Sequence, residues 1–221
     1  MCRRLIMGQY YRAVLGDANG NNRDVFDLTM WANGHKVFKG AKLMEMAWMG
    51  EGYPDTIEHQ LYKSPHRVLW VGDYANELSI FNGPYKTIGD TVLENSNGAN
   101  MPTYEEVWGD HTEDPKPVRL VQLPLTPAMD WEFYYLVNHD HKEYIPMLKY
   151  LQMATYIWEK KTVCIDPLPL LTAVGNENGS GDYVGADMEY VGSWAWNLIS
   201  IERKAPDGYK EILPLFKEIM E

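Results

Sequence analysis

The sequence predicts a single α+β domain over residues 1–221, with a mixed, mostly antiparallel sheet and short flanking helices. Three observations lead there. Arg67-Val68-Leu69-Trp70-Val71-Gly72-Asp73-Tyr74-Ala75 reads as a strong strand whose run of apolar residues is the pattern of a central strand covered on both faces. A second apolar run, Val163 to Val174, ends abruptly in Gly175-Asn176-Glu177-Asn178-Gly179-Ser180-Gly181-Asp182-Tyr183 and reads as a buried strand feeding a turn-rich loop. Between and around these runs, short alternating segments and short helix-forming segments are separated by Gly, Pro and Asn.

In chain order, Gln9 to Leu15 and Arg23 to Leu28 form a hairpin around the turn-rich Gly16 to Asn22. Asp17, Asn19 and Asn21 alternate like the start of a calcium loop, but the Gly and distal Glu of that motif are not at the required offsets. Ala41 to Trp48 has strong helix formers. Asp55 reads as the cap of a second helix running through Leu61, with Glu58 closing a capping box and Ile57 and Leu61 facing inward. Residues 76–127 are rich in Pro, Gly, Asn and acids and read as an irregular insertion or lid, with a short helix over Thr103 to Trp108. Trp131 to Val137 is a strand that turns at Asn138-His139-Asp140 and returns along Lys142 to Met147. Leu148 to Ala154 is a short helix, Leu198 to Glu202 a last strand, Pro206-Asp207-Gly208-Tyr209 a turn, and Leu213 to Met220 a terminal helix. Tyr190 to Ala195 echoes Leu69 to Ala75, a match too short to make a repeat.

Composition narrows the function classes. The net charge of -11 argues against a general nucleic-acid binder, because neutralising phosphates requires Lys and Arg. No apolar run approaches the roughly 20 residues of a membrane helix. Met1 to Met7 lacks the apolar core of a signal peptide, and Met7 is an alternative start that would make residues 1–6 an appendage. Cys2 and Cys164 make no disulfide framework and read as free thiols in a reducing cytoplasm. Eight Trp and fifteen Tyr against five Phe supply rings with polar tips, the material of cores, pockets and interfaces.

The candidate site is the rim where the central strand and the Gly-rich loop end. Its residues are Asp73, Tyr74, Gly175, Asn176, Gly181, Asp182, Tyr183 and Trp194. Closely spaced glycines let backbone amides converge on an anion, but the spacing matches neither a dinucleotide fingerprint nor a P-loop. No cofactor is implied, and no metal ligands are fixed by spacing; His139 and His141 straddle a turn rather than sharing a strand face.

Met7-Gly8-Gln9-Tyr10-Tyr11, Lys42-Leu43-Met44-Glu45, Trp70 to Ala75, Pro167 to Ala173, Gly175-Asn176, Gly181-Asp182-Tyr183 and Val191 to Ala195 together resemble a family of uncharacterised proteins of bacteriophages, bacteria and some archaea that begin with a MGQYY-type sequence. The family pattern at the loop is GNGRGGGDY. Here Glu177, Asn178 and Ser180 stand within it and its basic residue is absent, which weakens a phosphate site. The family brings no established activity. The resemblance implies a phage or mobile-element origin and an intracellular setting.

Three functions compete. The leading expectation is an accessory protein that binds a small polar, nucleotide-like ligand, sequestering rather than turning it over, with rings to stack a base and loop amides to hold polar groups. The alternative is an acidic inhibitor of a host defence or nucleic-acid-binding protein, presenting Glu105, Glu106, Asp110, Glu113 and Asp114. The third is a metal-dependent hydrolase using Asp73, Asp182 and His111 or His139. Neither direct nucleic-acid contact nor a membrane partner is expected.

Overall fold

A computed structural model of the chain describes residues 10–26, 42–49, 52–73, 75, 86–88, 92–94, 102, 104–108, 118–121, 130–158, 160–175 and 183–218. The sheet is built on β3 (His66–Gly72), which pairs along one edge with β1 (Tyr11–Gly16) from Tyr11↔Gly72 to Gly16↔Arg67. β1 pairs in turn with β2 (Arg23–Phe26), closing the hairpin predicted for this stretch. The other edge of β3 is divided. Its first residues pair antiparallel with β12 (Leu198–Glu202), and Trp70 and Val71 pair parallel with β11 (Ala173–Val174).

From β12 the sheet continues to β7 (Tyr135–Asn138), β8 (Glu143–Pro146) and β13 (Lys210–Glu211). At its far side β2 takes β6 (Val118–Val121) in parallel. Among the described residues the sheet has five antiparallel and three parallel pairings, so the domain is α+β with a mixed, mostly antiparallel sheet. Two separate hairpins join β4 (Lys86–Ile88) to β5 (Val92–Glu94) and β9 (Tyr156–Trp158) to β10 (Lys161–Val163). The stretch read as irregular thus contributes a hairpin, the strand β6 and a helix, α3 (Tyr104–Trp108).

Side chains alternate across a strand with period two, and both faces of this sheet are covered. Tyr11, Ala13, Leu15, Val68 and Trp70 point to one face. They meet α1 (Leu43–Met46), α2 (Gly52–Lys63), α4 (Met147–Ala154) and α5 (Pro167–Leu171) through Met46, Tyr53, Ile57, Leu61, Tyr150, Leu168 and Leu171. Val14, Leu69 and Val71 point to the other face and meet Val107 of α3 with Val174, Ala195 and Trp196. This double cover is why β3 reads as an apolar run from Val68 to Val71. The segment after α1 is stitched to the segment before α5: Trp48 bridges Ile165, Met49 N donates to Cys164 O at 3.0 Å, and Asp166 N donates to Ala47 O at 2.6 Å. No helix of the described residues is long and apolar enough to cross a membrane.

Four expectations are corrected. Val163 to Val174 is not one strand. Asp166 accepts from Leu168 N at 2.9 Å as an N-cap, Pro167 occupies the first helical position, and α5 intervenes before the two-residue β11. Asp55 does not stand before the helix as its cap, because α2 already starts at Gly52; Asp55 and Glu58 lie within the helix and are buried. Trp131–Phe133 is a 3-10 turn, and the strand starts only at Tyr135. No helix forms over the described part of Leu213 to Met220. Pro214 disfavours helical geometry before it, and the amides of Leu215 and Lys217 are taken by Asp187 Oδ2 at 2.6 Å and the Tyr183 hydroxyl at 2.9 Å. The echo is also only verbal: 69–72 is strand, whereas Tyr190 to Trp196 is a chain of turns.

Arg67 fastens the start of β3. Its Nε donates to Ala18 O at 3.0 Å, and its Nη1 donates to Asp140 Oδ2 at 2.8 Å and to Trp196 O at 2.9 Å. Both charged side chains are nearly buried, so removing one strands the other. Arg67→Met is expected to lower unfolding free energy by about 3 kcal/mol, read as a shift of the urea midpoint at unchanged m-value.

Candidate functional site

Of the residues singled out from sequence, Asp73 and Gly175 lie at the C-terminal end of β3 and β11. Asp73 N donates to Tyr10 O at 2.8 Å, and Asp73 Oδ1 accepts from Tyr10 N at 3.0 Å, so the residue closes the β1–β3 ladder. On the opposite edge, the parallel register Ala173↔Trp70 and Val174↔Val71 sets Gly175 level with Gly72. Asp73 and the start of the Gly-rich loop therefore share one end of the sheet. Burial pushes the half-buried Asp73 carboxyl up from its ordinary value, and the backbone amides of Tyr10 and Asp73 oppose that shift.

α3 docks beside this end. Trp108 Nε1 donates to Val71 O at 3.2 Å, and the Arg12 guanidinium lies 4.3 Å from the centre of the Trp108 ring. Arg12 Nη1 also donates to Val107 O at 2.6 Å. Trp108 and Arg12 were not among the residues singled out from sequence. The signal available was the apolar, aromatic tail of the short helix predicted there. The rim joins a carboxyl group, a cation stacked on an indole, and the mouth of a glycine-rich segment. Such a set can hold a polar, flat molecule through hydrogen bonds and stacking.

Other predicted members serve the interior. Tyr183 is buried edge-on against Phe216, ring centres 5.5 Å apart. Its hydroxyl lies 2.5 Å from Ala186 O and 3.0 Å from Lys217 O and accepts from Lys217 N at 2.9 Å. Burial pushes that phenol well above its ordinary value. Trp194 is fully buried, and its Nε1 donates to Glu143 Oε2 on β8 at 3.1 Å. Tyr74, Asn176, Gly181 and Asp182 lie outside the described residues, as do His111 and the acidic residues Asp110, Glu113 and Asp114. Glu106 is engaged by Arg23 Nη1 at 2.6 Å.

The residues named for hydrolysis are set apart where they are described. His139 N donates to Leu198 O at 2.9 Å, and Leu198 pairs with Arg67. That is six residues before Asp73, roughly 20 Å along a strand. The His139 ring instead contacts Ser200 Oγ at 2.8 Å and the Tyr209 hydroxyl at 3.2 Å. Among the described residues no three His, Cys, Asp or Glu are grouped as a metal site requires. The Asp17 carboxylate, the nearest thing to a calcium-loop ligand in the sequence, is filled by Asn19 N, Asn21 N and Asn22 Nδ2 at 2.9, 2.9 and 2.8 Å.

Sequence reasoning missed a second concentration of charge. Asp55 and Glu58 of α2 and Asp166 of α5 are all buried on the helical side of the sheet. Asp-x-x-Glu near a helix start, and Asp before Pro, both read as caps; only the earlier start of α2 turns the first pair inward. Comparison of the chain with protein-family models, curated proteins and solved structures finds no match.

The assignment of Tyr183 to the interior carries a consequence. Tyr183→Phe leaves the Lys217 amide without its acceptor and is expected to cost about 1–3 kcal/mol, read by chemical denaturation. Affinity for any rim ligand should stay unchanged.

Proposed function

We propose that the protein binds a small, polar, nucleotide-like ligand at the C-terminal rim of β3 and β11 and holds it without turnover. The observation that carries this reading is the parallel pairing of β11 with β3. It brings the entry to the Gly-rich segment to the same end of the sheet as Asp73 and the Arg12–Trp108 stack. Ligands of sheets with parallel strands gather outside the carboxyl ends of those strands, where connections diverge and backbone amides are open. The partly exposed Trp108 indole offers a stacking surface, held in place by the buried Arg12, and Asp73 offers an acceptor for base or sugar donors. The separation of His139 from Asp73 favours retention over metal-assisted hydrolysis. A phage or mobile-element accessory protein that sequesters a host nucleotide fits this chemistry and the resemblance to the MGQYY-type family.

Thermal-shift measurement across a panel of nucleotides tests it. A ligand at about a hundred times its Kd adds about 2.7 kcal/mol, which for a chain of this size raises Tm by roughly 5–10 °C. Asp73→Asn keeps an oxygen for the Tyr10 amide and removes the charge. It should leave the unliganded Tm nearly unchanged and weaken the best ligand about tenfold, the loss of one charge-assisted hydrogen bond. Absence of any shift at millimolar nucleotide would discard the reading.

A further inference from the structure

Away from the rim, the buried acids on the helical side of the sheet pose a physical problem of their own. Glu58 is 0% exposed and Asp166 is 1% exposed. Asp166 Oδ1 is occupied as the cap of α5, accepting from Leu168 N. Neither Glu58 oxygen nor Asp166 Oδ2 receives an N–H or O–H donor from the described residues. The two carboxyl groups nevertheless lie within hydrogen-bonding reach of each other, with Asp55 close to both. Two ionised carboxylates offer only acceptors to each other, so the contact exists only if one carries a proton.

We propose that Glu58 and Asp166 form a proton latch, in which one buried proton donated by Glu58 to Asp166 Oδ2 ties α2 to the start of α5. The groups around the pair place the proton. Glu58 meets Asp166 from α5 and Asp55 from its own helix, and Asp166 meets Asp55 as well. From the segment before α5 comes the Cys164 thiol, and from α4 the Tyr150 hydroxyl, which donates to Ile165 O at 2.7 Å. Each of these would add negative charge on ionising. Burial, then the two neighbouring carboxylates, push Glu58 well above the usual carboxylate range. Burial lifts Asp166 to about 7, with the Leu168 amide and the Glu58 proton pulling it back. Asp166 already accepts from the Leu168 amide, which favours its ionised form, whereas neither Glu58 oxygen receives a donor, so Glu58 is the donor and Asp166 the acceptor.

The direction with pH follows. In the unfolded chain both groups ionise near pH 4, about their ordinary value, so the folded protein holds protons that the unfolded chain has released. The stability this provides is complete below that value and is lost as pH rises, first through the Asp166 value near neutrality and then as Glu58 ionises. Once Glu58 is charged, two facing carboxylates repel and the contact opens. α5 runs through Thr172 directly into β11, so the opening loosens the helix and the strand it feeds. The latch stands independently of any ligand at the rim.

Urea unfolding from about pH 5 to 9 tests it on the wild type and Glu58→Gln, whose amide N–H donates to Asp166 Oδ2 at every pH. The unfolding constant of the wild type should rise with pH, and that of the variant should rise less, by about tenfold per pH unit between pH 6 and 8. Hydrogen exchange, corrected for its intrinsic pH dependence, supplies a second reading on the wild type alone. The Leu168 and Thr172 amides should lose protection with rising pH relative to the β7–β12 ladder. Equal pH slopes in the two proteins would overturn the latch. If the variant does not fold, unchanged relative protection at Leu168 and Thr172 overturns it instead.

Discussion

The shared edge of β3 sets the terms for everything around it. Along one margin the strand is matched to β1 from Arg67 to Gly72, but the other margin is split between an antiparallel partner near Arg67 and a parallel one at Trp70 and Val71. Two strands of opposite direction can occupy one margin only if the chain between them reverses within a few residues of it. Tyr190 to Asn197 makes that reversal. Gly192 N and Trp194 N donate to the carbonyls of Leu170 and Leu171, both at 2.8 Å, and Trp196 N donates to Val68 O at 2.6 Å. Trp196 takes a left-handed backbone, φ 56°, at a position that favours glycine. Its ring is fully buried and packs where a Cβ on Gly16 would lie 2.6 Å from it, so Gly16 is held to glycine by contact rather than by its own backbone. Arg67 then joins three otherwise distant segments at the same spot.

That constraint explains the character of both charged regions. The parallel partner brings Gly175 to the level of Gly72, which creates the rim. The same connection draws Asp166 inward, because the start of α5 is tied to the end of α1 through Asp166 N and Ala47 O. The rim proposed for binding and the buried acids thus lie at opposite ends of one short segment, Asp166 to Gly175. A substitution in α5 would be felt at both.

Much of this was legible from residue order alone. The β1–β2 hairpin, β3, the β7–β8 hairpin, α4 and β12 announce themselves through alternation, turn residues and helix formers close in sequence. Val163 to Val174 was misread because an apolar run of that length fits a strand or a buried helix equally well, and the decisive Asp166–Pro167 pair is a local signal outweighed by the run. Asp55 and Glu58 have the spacing of a capping box, yet their role depends on a helix start three residues earlier that no nearby residue marks. Tyr183 and Trp194 looked like pocket rings because a polar tip signals a wet surface as readily as an internal partner. Their partners, Lys217 and Glu143, lie 34 and 51 residues away, beyond what local pattern can specify.

The divided margin of β3 also bears on how the chain emerges from the ribosome. β1 is already made when β3 appears, so one side is covered at once. The other side waits for β11 and then for β12, about 130 residues after β3, or roughly ten seconds of synthesis. During that interval an apolar strand with open backbone groups stays uncovered on one side, a ready template for another nascent chain. The topology of the sheet therefore leaves one margin of its central strand open through most of translation.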